Sequence, residues 1–393
     1  MSNLDVISER ALSLKPSLTL EISSLAQSLK QKGRDICSLS AGEPDFDTPN
    51  FIVEAAKKAL DDGITKYGPA GGDPSLREEV AKKLTEINDV PTSPENVLIT
   101  NGGKQAIFNL LQVIINPGDE VLIPSPYWLS YPEITKIAGG IPITINSSKG
   151  NSFSLDIEEI EKNINHKTKL LILNSPCNPT GRIIQESELQ SIANLLRKHP
   201  NIYVMSDEIY EFLITDKEVH ISLASIAPDL KDKIFIVNGF AKAWAMTGWR
   251  VGYLQGSSKI IKKAIALQSQ STSNVCSFAQ RGALAAIKGA PKGIDYMIQS
   301  YNERRKLLTE ELRQISSLSL EAQSGAFYAF PKLSDELPDS LSFCKIALEK
   351  EGLAIVPGIA FGNDRCIRLS CSVNTETLND GITRLNRIIK DIT

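Results

Sequence analysis

From about residue 96 onward, apolar runs of four to seven residues alternate with segments of helical periodicity. NVLIT (96–100) reads as a strand and GGKQAIFNLLQVII as the helix after it; DEVLIPSP, IPITIN, KLLILNSP, IYVMSDE, KIFIVNGF and VGYLQG read as further strands. WLSYPEITKI, SLDIEEIEKNI and ESELQSIANLLRKH carry helical spacing between them, and Ser187 and Gln190 stand at capping-box separation near the start of the last. Strands that are apolar on both faces fit a parallel sheet covered by helices on both sides. The pattern predicts an α/β fold around a mostly parallel sheet.

The pattern changes near residue 290. GAPKG breaks the chain, and IDYMIQSYNERRKLLTEELRQI then gives a long amphipathic helix. The remainder reads as a smaller α+β unit, with strands GAFYAF and CIRLSCS and helices SLSFCKIALEKEG and TLNDGITRLNRIIKDI. The expected division is an N-terminal arm and part of the small domain over 1–50, a large domain over 51–293, and a C-terminal small domain over 294–393.

Composition narrows the function classes. A chain of 393 residues is long for one core and suits two or so domains. The net charge of −3 and pI near 5.8 give no electrostatic support for nucleic-acid binding. No apolar run reaches the roughly 18 residues of a membrane span, and MSNLDVISERALSLKPS lacks a signal-type apolar core, so a cytoplasmic protein is expected. The six cysteines form no C-x-x-C pair and read as reduced. Of the three histidines, His166 lies in a polar stretch, His199 ends a helix before Pro200 and His220 sits near the end of a polar loop; all three read as surface residues, which argues against a His-based triad or metal site. The chemistry is left to Lys, Asp, Tyr, Arg or a cofactor.

In open parallel sheets, ligands bind beyond the carboxyl ends of the strands. After NVLIT come Asn101, Gly102, Gly103 and Lys104; after the next strand, Pro126, Tyr127 and Trp128; then Asn178, then Asp207 and Tyr210, then Gly239 and Lys242. Glycines at a helix start suit a phosphate, since first-turn N–H groups and the dipole favour an anion; the plain alternative is a tight strand-to-helix turn. Lys104 is a cation in an unfavourable first-turn position, which a negative ligand nearby would explain. Asp207 after an apolar strand is either a helix cap or the partner of a buried cation. Trp128 alone could be plain core, and Arg368, alternating with Ile367 and Leu369, could be a solvent-face arginine.

Lys242 stands between Ala241 and Ala243 with no carboxylate neighbour in sequence. Such surroundings lower a lysine pKa and make it a candidate Schiff-base former. A pyridine cofactor carrying an aldehyde and a phosphate accounts for the lysine, the acid and the glycine turn together.

The stretches LKPSLT (14–19), AGEPDFDTP (41–49), TKYGPAGGDPSLRE (65–78), TNGGKQA (100–106), SPYWLSYPE (125–133), NSPCNPTG (174–181), SDEIYE (206–211), NGFAKAWAMTGWRVGY (238–253) and IRLSCS (367–372) resemble the class I pyridoxal-phosphate-dependent aminotransferases of fold type I. The likeness is nearest to the bacterial-type aspartate aminotransferase subgroup, some of whose members also use prephenate. It implies pyridoxal 5'-phosphate as cofactor, Lys242 as the lysine that carries it and Asp207 as the acid on the ring nitrogen. By the same resemblance Tyr210 and Asn178 reach the ring 3'-oxygen, and Trp128 stacks on the ring. Arg250, with Gly102, Gly103 and Lys104, would hold the phosphate. Tyr67 would reach the phosphate of a partner subunit, implying a homodimer. Arg368 would fork the substrate α-carboxylate, a task suited to guanidinium, with Gly42 where the small domain closes over it.

Two departures stand out. Many relatives have a serine three residues before the lysine; here it is Gly239. The arginine that reads the distal carboxylate in animal-type enzymes has no counterpart around LQSQSTSNV, and in this subgroup Lys104, helped by Ser17 and Thr19, takes over; Lys104 and Thr19 are also associated with prephenate use. The implied activity is transfer of the amino group of L-aspartate to 2-oxoglutarate in ping-pong fashion, with Lys242 moving the Cα proton. Prephenate to arogenate is the possible second reaction. Aromatic or neutral amino-acid transfer, β-elimination on the same fold, and a cofactor-binding regulator without turnover are the alternatives.

Overall fold

The computed structural model describes residues 6–14, 18–146, 152–290, 292–321 and 323–393, except for the side chains of Thr19, Leu20, Ser23 and Lys292. Seven strands form the main sheet: β2 (Val97–Thr100), β3 (Glu120–Pro124), β4 (Ile141–Ile145), β5 (Thr168–Asn174), β6 (Tyr203–Asp207), β7 (Ile234–Gly239) and β8 (Gly252–Gln255), after a short β1 (Cys37–Ser38) that lies elsewhere. Their order is β2-β8-β7-β6-β5-β3-β4. The pairs among β3 to β7 are parallel, whereas β8 runs against both neighbours.

Burial explains the apolar runs. Every residue of β2, β7 and β8 is buried, and each apolar side chain so removed from water contributes about 1.5–3 kcal/mol. Two large clusters lie against the sheet: Leu122, Leu171, Val204 and Ile236 belong to one, and Val121, Leu170, Met205 and Val237 to the other. Consecutive residues of one strand thus point into opposite layers, as the period of two demands.

The remaining strands are short. β9 (Leu318–Ser319) pairs with β11 (Lys332–Leu333), and β1 pairs in parallel with β12 (Leu353–Ala354). β14 (Ile367–Ser370) lies between β10 (Tyr328–Ala329) and β13 (Val356–Pro357). The helix Leu18–Gln31 and β1 therefore meet C-terminal elements, and the Arg34 guanidinium donates to Glu349 O across 2.7 Å. The long helix covers Asp295–Arg313.

One local expectation is corrected. The helix Glu186–Lys198 is capped not by Ser187 and Gln190 but two residues earlier, where the Gln185 N–H donates to Glu188 Oε2 across 2.9 Å. The Glu188 carboxylate also pairs with Arg182, so the residue with a charged partner at hand takes the N3 role.

Candidate active site

The carboxyl edge of the main sheet opens on a cavity of about 660 Å³. Gly103, Lys104, Trp128, Asn178, Asp207, Tyr210, Lys242, Arg250 and Arg368 all line it, together with Gly42. Arg250 reaches this edge because β8 is antiparallel, which brings the start of that strand beside the ends of the others. Gly102 lies just behind the lining, and Tyr67 lies outside it, 92% exposed beside a second cavity with Thr272 and Asn274. Ser17 and the side chain of Thr19 lie outside the described residues.

Asp207 ends the central strand β6 and is buried. Its Oδ2 accepts from the Tyr131 hydroxyl at 2.8 Å and its Oδ1 from the Ile209 N–H at 3.3 Å. Burial lifts its pKa to about 6, against the pull of the Tyr131 bond. The Asn174 side chain ties the neighbourhood together. Its Nδ2 donates to Asp207 O at 2.9 Å, and its Oδ1 accepts from the Asn178 N–H at 2.8 Å.

Lys242 projects from the turn after β7. Its Nζ donates to Gly42 O at 2.5 Å and lies 5.7 Å from the Tyr210 ring centre. Burial, reinforced by the Arg368 charge, brings its pKa down to about 8, while Glu43 and Asp207 pull the other way. A sizeable neutral fraction at mildly alkaline pH follows.

Arg368 is not on a solvent face as alternation alone would allow. It is 3% exposed, because β14 is the middle strand of its sheet. Its Nη1 donates to Asn178 Oδ1 at 3.0 Å and its Nη2 to Ser40 O at 2.9 Å, and the guanidinium lies 4.5 Å from the Tyr328 ring centre. Its Nε has no acceptor, and among the described residues no carboxylate pairs with it. A buried guanidinium left so is costly until an anion arrives. Tyr328, which the sequence had not singled out, also meets the Tyr210 hydroxyl at 2.9 Å.

The phosphate-like corner is built from glycine. Gly102 has φ +81°, and a Cβ there would fall 2.5 Å from Arg250 Nη2. The helix Gly103–Ile114 starts without a side-chain cap; the Gln105 and Ala106 N–H groups turn back to Gly102 O, and the amides of Gly103 and Lys104 at the helix start suit an anion. Arg250 itself has φ +55°, a left-handed conformation that costs about 1–2 kcal/mol. That geometry lets Nη1 reach Thr247 O at 2.9 Å and Nη2 reach Asn101 O at 3.2 Å. Lys104 Nζ lies 4.8 Å over the Trp128 ring, and its pKa is lowered by burial and then by Arg250. Trp128 is half-buried on the cavity wall rather than plain core, edge-on to Tyr131 at 5.4 Å and 83°.

These residues fit pyridoxal 5'-phosphate on chemical grounds. An acid with a raised pKa wants a cationic ring nitrogen, a lysine with a lowered pKa wants a carbonyl, and paired cations beside an uncapped helix start want a phosphate. The Class I and II aminotransferase family matches residues 34–385. The chain belongs to that family. It is 42% identical to a probable aspartate/prephenate aminotransferase of Rickettsia bellii, over 98% of this chain and 99% of that one. It is 39% identical to the aspartate aminotransferase of Bacillus subtilis, over 98% and 99%. Among solved structures, the Thermus thermophilus aspartate aminotransferase with maleate superposes with TM-score 0.92 at 39% identity, covering 97% of this chain and 99% of that one.

His220 corrects the reading of the histidines. His166 is exposed and His199 half-buried, but the side chain of His220 is only 6% exposed. Its Nε2 lies 3.2 Å from Glu208 Oε2. A polar loop folds inward there because a buried carboxylate needs a partner.

Proposed function

We propose that this aminotransferase binds pyridoxal 5'-phosphate and transfers the amino group of L-aspartate to 2-oxoglutarate, with prephenate as a second amino acceptor. Lys242 would hold the aldehyde end, Asp207 the ring nitrogen, Asn178 and Tyr210 the ring oxygen, and Trp128 one ring face. Arg250 with the amides after Gly102 would take the phosphate. When bound, the cofactor supplies a sink for the charge left as the Cα proton departs. The chain's own residues do the rest. Arg368 clamps the α-carboxylate, Lys104 meets the distal one from its place over Trp128, and Gly42 closes near the clamp. Lys242 Nζ, partly neutral, would take the Cα proton and deliver it to the carbon that had been the aldehyde, the shift that transfer of the amino group requires.

The observation that carries the substrate reading is that Lys104 and Arg368 line one cavity and neither has a carboxylate partner among the described residues. Two unpaired cations suit a dicarboxylate. The Thermus relative solved with maleate and the relatives named for aspartate and prephenate support the same choice over elimination or neutral substrates.

The proposal has the enzyme acting in the cytoplasm as a homodimer, with Tyr67, so exposed here, turned toward a partner's phosphate. It keeps the division at 1–50, 51–293 and 294–393, which puts Arg368 in the small domain and Lys242 in the large one. Among the described residues no helix is long and apolar enough to cross a membrane.

A substrate panel of aspartate, prephenate, tyrosine and alanine with their keto or amino partners tests this. Lys104→Ala should raise KM for aspartate and prephenate about tenfold or more while sparing alanine, and an equal effect on all four would falsify the distal role. Lys242→Ala should abolish turnover.

A further inference from the structure

Behind the cavity lies a buried group of four charged side chains that the reaction does not use. Lys83 pairs with Glu211, and the Glu211 carboxylate also accepts from Asn238 Nδ2 and Asn88 Nδ2, each at 2.8 Å. Glu208, fully buried, accepts on Oε1 from Ser222 at 2.7 Å and Ser206 at 3.0 Å. Its Oε2 lies 3.2 Å from His220 Nε2, close enough for an ion pair, and neither atom makes a hydrogen bond of good geometry among the described residues. Glu208, Glu211 and His220 each bring a donor atom within 4.8 Å of the others, the spacing of a metal site, yet the Lys83 ammonium already occupies Glu211. With His220 protonated, the two cations and two anions cancel without any metal.

Glu208 follows Asp207 directly in the chain. A carboxylate there carrying net charge would make Asp207 harder to ionise. We propose that His220 is a positioning residue for Asp207: it shares one proton with Glu208, and the pair so formed presents no net charge to the acid that meets the cofactor's ring nitrogen.

Several observations converge on this. The pair is buried, so solvent does not screen it. The groups that face the imidazole are Glu208 and Glu211 and, beyond Glu211, Lys83 from the helix Pro74–Glu86. Glu208 and Glu211 hold the proton on the imidazole against burial, and His220 in turn holds Glu208 below the usual carboxylate range. Losing His220 would remove the cation that balances Glu208, while its two hydroxyl donors and Lys83 still favour the ionised form against burial, so the charge beside Asp207 would be less balanced.

The inference rests on the proposed role of Asp207, so the test separates the two. With only three histidines, proton NMR of the chain resolves each ring, and His220→Gln identifies one of them. His220 should keep its proton well above the pH at which a free imidazole releases its own; titration at or below that pH would overturn the proposal. The second readout is the affinity of the cofactor-free chain for pyridoxamine 5'-phosphate across pH, taken as a ratio to that of Asp207→Asn, so that the ligand's own phosphate, which also titrates near pH ~6, cancels. Affinity should rise as Asp207 ionises, with an inflection near pH 6. In His220→Gln the inflection should move up by roughly one unit, and in His220→Gln/Glu208→Gln, which removes both charges, it should return. A merely structural role predicts no return, and that result or an unmoved inflection would sink the inference. If that ratio shows no inflection for the wild-type chain, it is the role of Asp207 that fails. Should His220→Gln not fold, the wild-type titration, with His166 and His199 assigned by substitution, decides alone.

Discussion

The Tyr131 hydroxyl donates to Asp207 Oδ2 across 2.8 Å, and the same tyrosine ring stands edge-on to Trp128. One side chain thus orients both the acid and the aromatic plate. The bond favours the ionised form of Asp207, in which the carboxylate accepts. Tyr131→Phe removes the donor and keeps the packing, so Asp207 should hold its proton above pH 6. Cofactor affinity at pH 7 should fall about tenfold, the worth of one charged hydrogen bond. At pH 8.5, where Asp207 ionises in both proteins, the gap should narrow. Fluorescence titration of the cofactor-free chains at the two pH values reads both effects, and an equal loss at each would mean that packing, not ionisation, was disturbed.

Asp207 also makes a prediction about stability. Its folded pKa of about 6 lies above the usual 3.8, so between those values the folded chain binds more protons than the unfolded one. Stability therefore falls as pH rises through that window and stays lower above it. In the cofactor-free chain Asp207→Asn should be more stable at pH 7 by about 3 kcal/mol and nearly equal to wild type at pH 3.5. The same substitution should weaken cofactor binding, a trade of stability for function common at active sites. Urea denaturation at pH 3.5 and pH 7 measures the difference; a gap that is the same at both values would contradict the assignment.

Arg368→Lys keeps a positive charge but loses the planar fork and the stacking on Tyr328. The free Nε and the buried site indicate that the fork, not the charge alone, receives the carboxylate. KM should rise roughly ten- to hundredfold, and by similar factors for aspartate and alanine, since both carry the α-carboxylate. Lys104→Ala should discriminate between them. Steady-state kinetics on the paired variants therefore tells the two cations apart, and discrimination by Arg368→Lys would exchange their assignments.

Much of this site could be read before the fold was known, for one physical reason. In a parallel sheet the residues that follow the strands collect at one edge, so the shared place of Lys104, Trp128, Asn178, Asp207 and Lys242 could be read from position, while each alone had a plain structural alternative and the roles came with the family resemblance. Arg250 was not, because it precedes a strand and reaches the edge only through the reversal of β8. Arg368 alternates like a surface residue, and only its place between β10 and β13 buries it. His220 was misread because its loop is polar and its partner Glu208 is set by tertiary folding, not by local spacing. Tyr131 and Asn174 lie inside the stretches SPYWLSYPE and NSPCNPTG, but they act through other residues, and only the fold shows which ones.

Gly239, where many relatives have a serine, has a structural cause. A Cβ on Gly239 would fall 2.8 Å from Gly252 Cα and 3.0 Å from Val251 O, both backbone atoms of the neighbouring chain segment. Gly252 in turn would carry its Cβ within 2.5 Å of Gly103 N, the helix start that faces the phosphate corner. Three backbones therefore close on one another here, and the nearest atoms are backbone, while the one side chain in reach, Ile209, stays at an ordinary 3.4 Å. Gly239→Ser should destabilise the chain by about 1–3 kcal/mol through overpacking, and it should not tighten cofactor binding even though it supplies a hydroxyl. Gly239→Ala should cost about as much, since the Cβ and not the oxygen meets the backbone. Thermal melts of both variants with cofactor titrations give the answer. A serine variant that is as stable as wild type and binds the cofactor more tightly would show that β7 and β8 can separate, and that the glycine is there for some reason other than their contact.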